Sequence, residues 1–327
     1  MLINRIFRLW PLHIAMLLVF LMLEGGKLFA ESKGISFTYP AFAGENSIDE
    51  ILPNLFLLQS WLNSFSDLSY NYPSWSISVE MGLYFLLAAI LYTCNTLRSY
   101  AFAFIAILTY ILLVNRIDHL RMHAFIGLFC FSMGALTYRI YDKIKHISIK
   151  HPLMTGLEIG SIALIFFIIT LDIGNKYIVS TFVFCLAILV FSFEGGVASR
   201  LLKLSPFTYL GKISYSIYLT HAAIIFCTTA VFKILPKVTN TSFLEIHPIK
   251  NAGSNITVSF FNLGSTSLNN GLVFLLLLTV IATSHFTYRF IEQPGQKLGR
   301  ILTTKRSETH KDSLDKNTIG SDLRTFK

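Results

Sequence analysis

Pro73-Ser-Trp75-Ser-Ile-Ser78-Val-Glu80-Met-Gly-Leu-Tyr84-Phe85 opens an apolar run that covers residues 78–94. A Trp ahead of such a run marks the rim of a bilayer-spanning helix, because an indole settles at the headgroup boundary. A hydrocarbon core about 30 Å thick asks for roughly 20 helical residues. Comparable runs lie at 9–30, 100–114, 123–141, 155–172, 177–193, 213–232 and 271–291. A further one, 51–62, is too short to span and reads as an interfacial or re-entrant segment. The composition agrees: the chain is 53% apolar and 14% charged, with a mean hydropathy of +0.59, which excludes a soluble domain of this length. The pattern predicts an all-α, polytopic transmembrane helix bundle with about eight spanning helices and one short extra segment. Residues 1–300 form its membrane domain. From 301 to 327 the chain is polar and charged without apolar periodicity, so that tail is expected to be disordered.

Charge orients the bundle. The N-terminus, 95–99, 142–154, 194–212 and the tail from 289, with Arg139 at the membrane edge, hold 19 of the 27 Lys and Arg residues. By the positive-inside rule, an even helix count then places both termini in the cytoplasm. The net charge of +9 is thus a topology signal and not a nucleic-acid footprint, since no basic patch is interleaved with exposed aromatics. Cys94, Cys130, Cys185 and Cys227 fall singly in or at the ends of apolar runs and read as small buried groups. The histidines show no metal-ligand spacing, and no metal is expected.

Three polar clusters remain to carry chemistry. Around the opening stretch, Glu80 lies at or just inside the membrane boundary. A carboxylate there is costly and by default a functional suspect, although an interfacial Glu exposed to headgroup water is the plain alternative. Tyr84 lies one turn further on, able to share a ligand with Glu80, while Trp75 and Ser78 precede them. The second cluster is Arg5-Ile-Phe-Arg8-Leu-Trp-Pro11, where two arginines three apart share a face. Their guanidinium forks suit the phosphates of a CoA or a lipid headgroup; snorkelling topology charges would look the same. The third is Ser214, Tyr215, Tyr218 and His221. Ser214, Tyr218 and His221 fall on one helical stripe, where the His can shuttle a proton or tie helices together.

In order along the chain these motifs resemble the membrane acyltransferase-3 family. Arg5 to Pro11 is similar to its arginine pair before a proline, and Trp75-Ser-Ile-Ser78-Val-Glu80 to its Trp-Ser-x-Ser-x-Glu segment. Phe131-Ser-Met-Gly134 resembles its Phe-x-x-Gly helix. Gly211-Lys-Ile-Ser214-Tyr215-Ser-Ile-Tyr218-Leu-Thr-His221 resembles Gly-x-x-Ser-Tyr-x-x-Tyr-x-x-His, and Tyr288-Arg-Phe-Ile291-Glu292-Gln-Pro294 resembles a closing Tyr-x-x-Ile-Glu-x-Pro.

The resemblance implies transfer of an acyl group, acetyl in the first instance, from acyl-CoA to a hydroxyl of an envelope saccharide or lipid-linked sugar. It implies a protein of the bacterial inner membrane, with acyl-CoA as co-substrate and no bound cofactor. Glu80 and His221 would be catalytic. Arg5 and Arg8 would hold the CoA phosphates at the inner face, and Trp75, Ser78, Tyr84, Ser214, Tyr215 and Tyr218 would line the substrate site. The family's usual first two helices, the first bearing an arginine and a base histidine, have no counterpart before the arginine pair. Little or no activity is therefore expected of the chain as it stands, unless another residue serves as base. The competing reading is a non-catalytic carrier or flippase for a lipid-linked saccharide.

Overall fold

The computed structural model describes residues 2–34, 37, 39–93, 96–115, 122–235, 243–251 and 254–304. Every apolar run of spanning length is a helix. They are α1 (Leu2–Ser32), α3 (Ser74–Thr93), α4 (Arg98–Val114), α5 (Met122–Ile144), α6 (His151–Thr170), α7 (Lys176–Phe191), α9 (Ser205–Ile234) and α10 (Thr266–Thr287). Six are long and apolar enough to cross a membrane. Helices α4 and α7 have 17 and 16 residues, a rise of about 24–26 Å, slightly under the hydrocarbon thickness. Two short helices, α2 (Ile51–Leu55) and α8 (Val197–Leu202), lie between the long ones. The fold is an all-α polytopic bundle. On α10 the residues Val273, Phe274, Leu275, Leu277 and Leu278 are all exposed, as expected where the neighbour is lipid and not water.

Three local features add to the sequence reading. The 51–62 segment holds only one short turn of helix. It then breaks at Leu57, whose backbone lies in the left-handed region at φ 57°. The 233–270 stretch, between two of the apolar runs, contains an antiparallel hairpin of β1 (Leu244–Asn251) and β2 (Ser254–Phe261), with Leu244 opposite Phe261. A ladder satisfies backbone N–H and C=O groups without needing a large core. Phe243 and Phe261 supply a small one, with rings 5.9 and 5.4 Å from that of Phe232 on α9. Third, after α10 comes a π-helical turn, Tyr288–Glu292, and the helix continues through Thr304, four residues into the stretch read as tail. Residues 305–327, and Cys94, lie outside the described ones.

The chain divides into two compact units. The first holds Met1–Ile6, Ala43–Ser69 and Ser74–Lys212. In it α4 packs on α5, α5 on α7, α6 on α7 and α3 on α5, around Ala106, Phe129 and Ile178 with Leu113, Met133 and Leu136. A Cβ at Gly127 would run into the Val79 side chain, so a glycine on α5 permits the close approach of α3. The second unit holds Phe7–Phe42, Tyr70–Pro73 and Ile213–Lys327. There the Phe20 and Phe226 rings meet edge to face at 6.2 Å. Pro11 lacks an N–H and leaves the Phe7 carbonyl without its usual helical donor. A Cβ at Gly295 would come within 2.6 Å of that carbonyl oxygen, so only glycine lets the chain pass so close.

Candidate functional site

In the first unit the 54–61 segment is sewn to the start of α3. Ser78 donates to the Leu57 carbonyl at 2.7 Å and accepts from the Ser60 amide at 3.3 Å. Ser60 donates to the Trp75 carbonyl at 3.0 Å, and Trp61 donates its indole N–H to the Ser78 carbonyl at 2.9 Å. Gln59 donates to the Ser74 hydroxyl at 3.2 Å, which donates to Asn54 at 3.3 Å. Gly82 leaves room for the Trp61 ring, which any Cβ there would overlap. All of Asn54, Gln59, Ser60, Ser74 and Ser78 are fully buried, so each such bond replaces water that cannot reach it. Ser78 of Trp-Ser-x-Ser-x-Glu, together with Ser74 just before it, thus holds a loop in place, and the Ser78 hydroxyl is engaged within the protein.

That scaffold fixes the helix from which Glu80 and Tyr84 project. The Tyr84 hydroxyl donates to Glu80 Oε1 at 2.5 Å, and the Arg5 guanidinium sits 4.9 Å from the centre of the Tyr84 ring. The sequence reading had Arg5 and Glu80 in separate polar clusters; one tyrosine ring, a turn along α3 from Glu80, joins them. Neither the Arg5 N–H donors nor the second Glu80 oxygen has a hydrogen-bond partner among the described residues. A cation seated on an aromatic face with all its donors open, next to a carboxylate with an open acceptor, is equipped to hold an anion and a hydroxyl side by side.

Trp75 stacks on His123, with ring centres 4.5 Å apart and planes at 30°. His123 Nδ1 lies 2.6 Å from Asp67 Oδ2. Neither Asp67 nor His123 was singled out from sequence, since nothing in their spacing links a loop to the first turn of a helix 56 residues on.

In the second unit Arg8 is half buried, and its Nε has no hydrogen-bond partner among the described residues. It bears electrostatically on Glu292. Glu292 is fully buried and accepts from the Ser216 hydroxyl at 2.9 Å and from Gln296 at 3.0 Å. The π-helical turn that ends at Glu292 re-aims the side chains around it, a device common at functional sites. Thr220 and Ser284 hydroxyls meet at 3.0 Å.

The polar stripe on α9 therefore differs from the one read in sequence. Ser214 and Tyr218 are exposed, while the buried polar residues are Ser216 and Thr220. The Tyr215 hydroxyl donates to the Leu9 carbonyl. His221 faces the Ile217 carbonyl with Nδ1 at 3.3 Å and the Tyr72 hydroxyl with Nε2 at 3.1 Å. A carbonyl can only accept, so Nδ1 carries the proton and Nε2 accepts from Tyr72. Among the described residues no group of three or more His, Cys, Asp or Glu is placed to hold a metal ion.

A family model described as an acyltransferase domain, acyltransferase-3, matches residues 1–290. The chain belongs to the acyltransferase-3 family. It is an integral membrane protein of acyltransferase type, and the match takes in both units, from the arginine pair nearly to the π-helical turn's end. No curated protein and no solved structure matches the chain.

Proposed function

We propose that this acyltransferase-3 protein moves an acyl group, acetyl in the first instance, from acyl-CoA to a hydroxyl of an envelope saccharide or lipid-linked sugar. The observation that carries the reading is the line Arg5–Tyr84–Glu80, with open donors at one end and an open acceptor at the other. Arg5, with Arg8 three residues along α1, meets the CoA phosphates through forked hydrogen bonds. Glu80, held by Tyr84, accepts from a sugar hydroxyl beside the reacting one and so fixes the position of the acceptor oxygen. In the second unit the Tyr72 hydroxyl and the Ile217 carbonyl hold the His221 ring in place from its two nitrogens. The arrangement suits a protein of the bacterial inner membrane with both termini cytoplasmic, where 19 of 27 basic residues then face the side that holds acyl-CoA.

The test is transfer of label from [14C]acetyl-CoA in membranes carrying the full chain, with the host's envelope saccharide as acceptor. Label should enter the saccharide fraction in an alkali-labile form, as an oxygen ester does, and should fall to background in Glu80→Gln. Absence of acyl-CoA-dependent label, with lipid-linked saccharide still crossing the bilayer, would point to a carrier instead.

A further inference from the structure

We propose that Asp67 and His123 form a base dyad, in which His123 Nε2 takes the proton of the acceptor hydroxyl and Asp67 is the positioning residue. This rests on the acyl-transfer reading and assigns its base.

Three segments of the first unit converge there. Asp67 comes from the loop before α3, Trp75 from the first turn of α3 and His123 from the first turn of α5. The loop is anchored one residue earlier, where Ser66 N–H donates to Glu50 Oε1 at 2.8 Å. A carboxylate oxygen only accepts, so His123 Nδ1 carries the ring proton at 2.6 Å from Asp67 Oδ2. Nε2 of the neutral ring then presents a lone pair, and it has no partner among the described residues. The imidazole side chain is 41% exposed while the Asp67 side chain is 15% exposed. The orienting group is thus sheltered and the proton-accepting atom is open. Stacking against Trp75 fixes the plane of the ring, and Ser60 holds the Trp75 backbone.

An ion pair serving only to pin the loop would need neither an open Nε2 nor a locked ring plane. Orientation of an imidazole by a sheltered carboxylate is an arrangement that sets tautomer and direction for general-base work. Trp75, on which the dyad stacks, precedes Glu80 by five residues on the same helix, about 7.5 Å of helix rise.

The step balances without a co-reactant beyond the two substrates. As the acceptor oxygen bonds to the thioester carbonyl carbon, its proton passes to His123 Nε2. The carbon–sulfur bond then breaks with its electron pair on sulfur, and the imidazolium returns the proton to that thiolate. An oxygen ester and the CoA thiol leave, and His123 is neutral again.

The experiment uses the full chain in nanodiscs with [14C]acetyl-CoA and host envelope saccharide. His123→Gly should lose about 100-fold or more in kcat, and added imidazole should restore part of it. Asp67→Asn should lower kcat with the acetyl-CoA KM unchanged, and Asp67→Glu should recover part. In wild-type protein, diethyl pyrocarbonate should carbethoxylate His123, and the saccharide should slow that reaction. Wild-type transfer with His123→Gly unimpaired overturns the dyad alone, as does a His123 that the saccharide leaves unprotected. A loss that imidazole does not relieve, with Asp67→Asn raising KM only, makes the pair structural. No transfer by wild type overturns the acyl-transfer reading itself, and the dyad's role with it.

Discussion

Glu80 and Glu158 are alike in sequence and opposite in structure. Each is a lone carboxylate a turn or two inside an apolar helix, α3 for one and α6 for the other. Glu158 is fully buried. It accepts from the Gly196 amide at 2.9 Å, the Ser199 amide at 3.1 Å and the Ser199 hydroxyl, so it caps the start of α8 from another helix. Even a Cβ on Gly196 would strike that carboxylate. Glu80 is only half buried and, among the described residues, takes one hydrogen bond, from Tyr84. An ionisable group inside a spanning helix is a functional suspect by default, and Glu158 is where that default misleads. Unused hydrogen-bonding capacity separates the two better than depth does.

Replacing Glu158 with Leu should have the largest effect of all. It leaves three buried donors unsatisfied at about 1–3 kcal/mol each, so thermal unfolding in detergent should show a loss of at least about 3 kcal/mol or no recoverable folded protein. Next, Arg5→Gln should weaken acetyl-CoA binding by roughly 10- to 100-fold, the worth of charged hydrogen bonds of about 1.5–3 kcal/mol. Arg5→Lys should restore only part of that, because lysine lacks the fork; full recovery in a binding titration would reduce Arg5 to a topology charge. Gly295→Ala should cost on the order of 1–3 kcal/mol of thermal stability, since the new methyl must push on the Phe7 carbonyl. Tyr84→Phe keeps the ring beneath Arg5 and removes only the bond to Glu80. It should cost about 1 kcal/mol, a several-fold drop in kcat, with acetyl-CoA affinity unchanged.

Much of this architecture was legible beforehand. Apolar runs of the right length become helices because the bilayer leaves the backbone no other way to satisfy its polar groups, and each run of spanning length did. That Glu80 and Tyr84 share a face followed from their spacing of one helical turn, though not that the tyrosine bonds the carboxylate itself. What sequence could not supply was anything made by long-range contact. Arg5 meeting Tyr84, Asp67 meeting His123 and Glu158 meeting Ser199 join segments 41 to 79 residues apart. The polar stripe of α9 was misplaced by two residues for a related reason. Helical spacing shows which residues share a face, but only the neighbours decide which face is buried, and Ser216 and Thr220 are the ones that meet Glu292 and Ser284.

The most direct measurement puts Glu80→Gln and Glu158→Gln side by side, reading thermal unfolding and [14C]acetyl transfer on the same preparations. Glu80→Gln should unfold like wild type and lose transfer by about 100-fold or more. Glu158→Gln should unfold well below wild type and, while folded, retain transfer. A Glu80→Gln protein that transfers acetyl normally, or one that unfolds as readily as Glu158→Gln, would contradict the assignment of Glu80 to the chemistry.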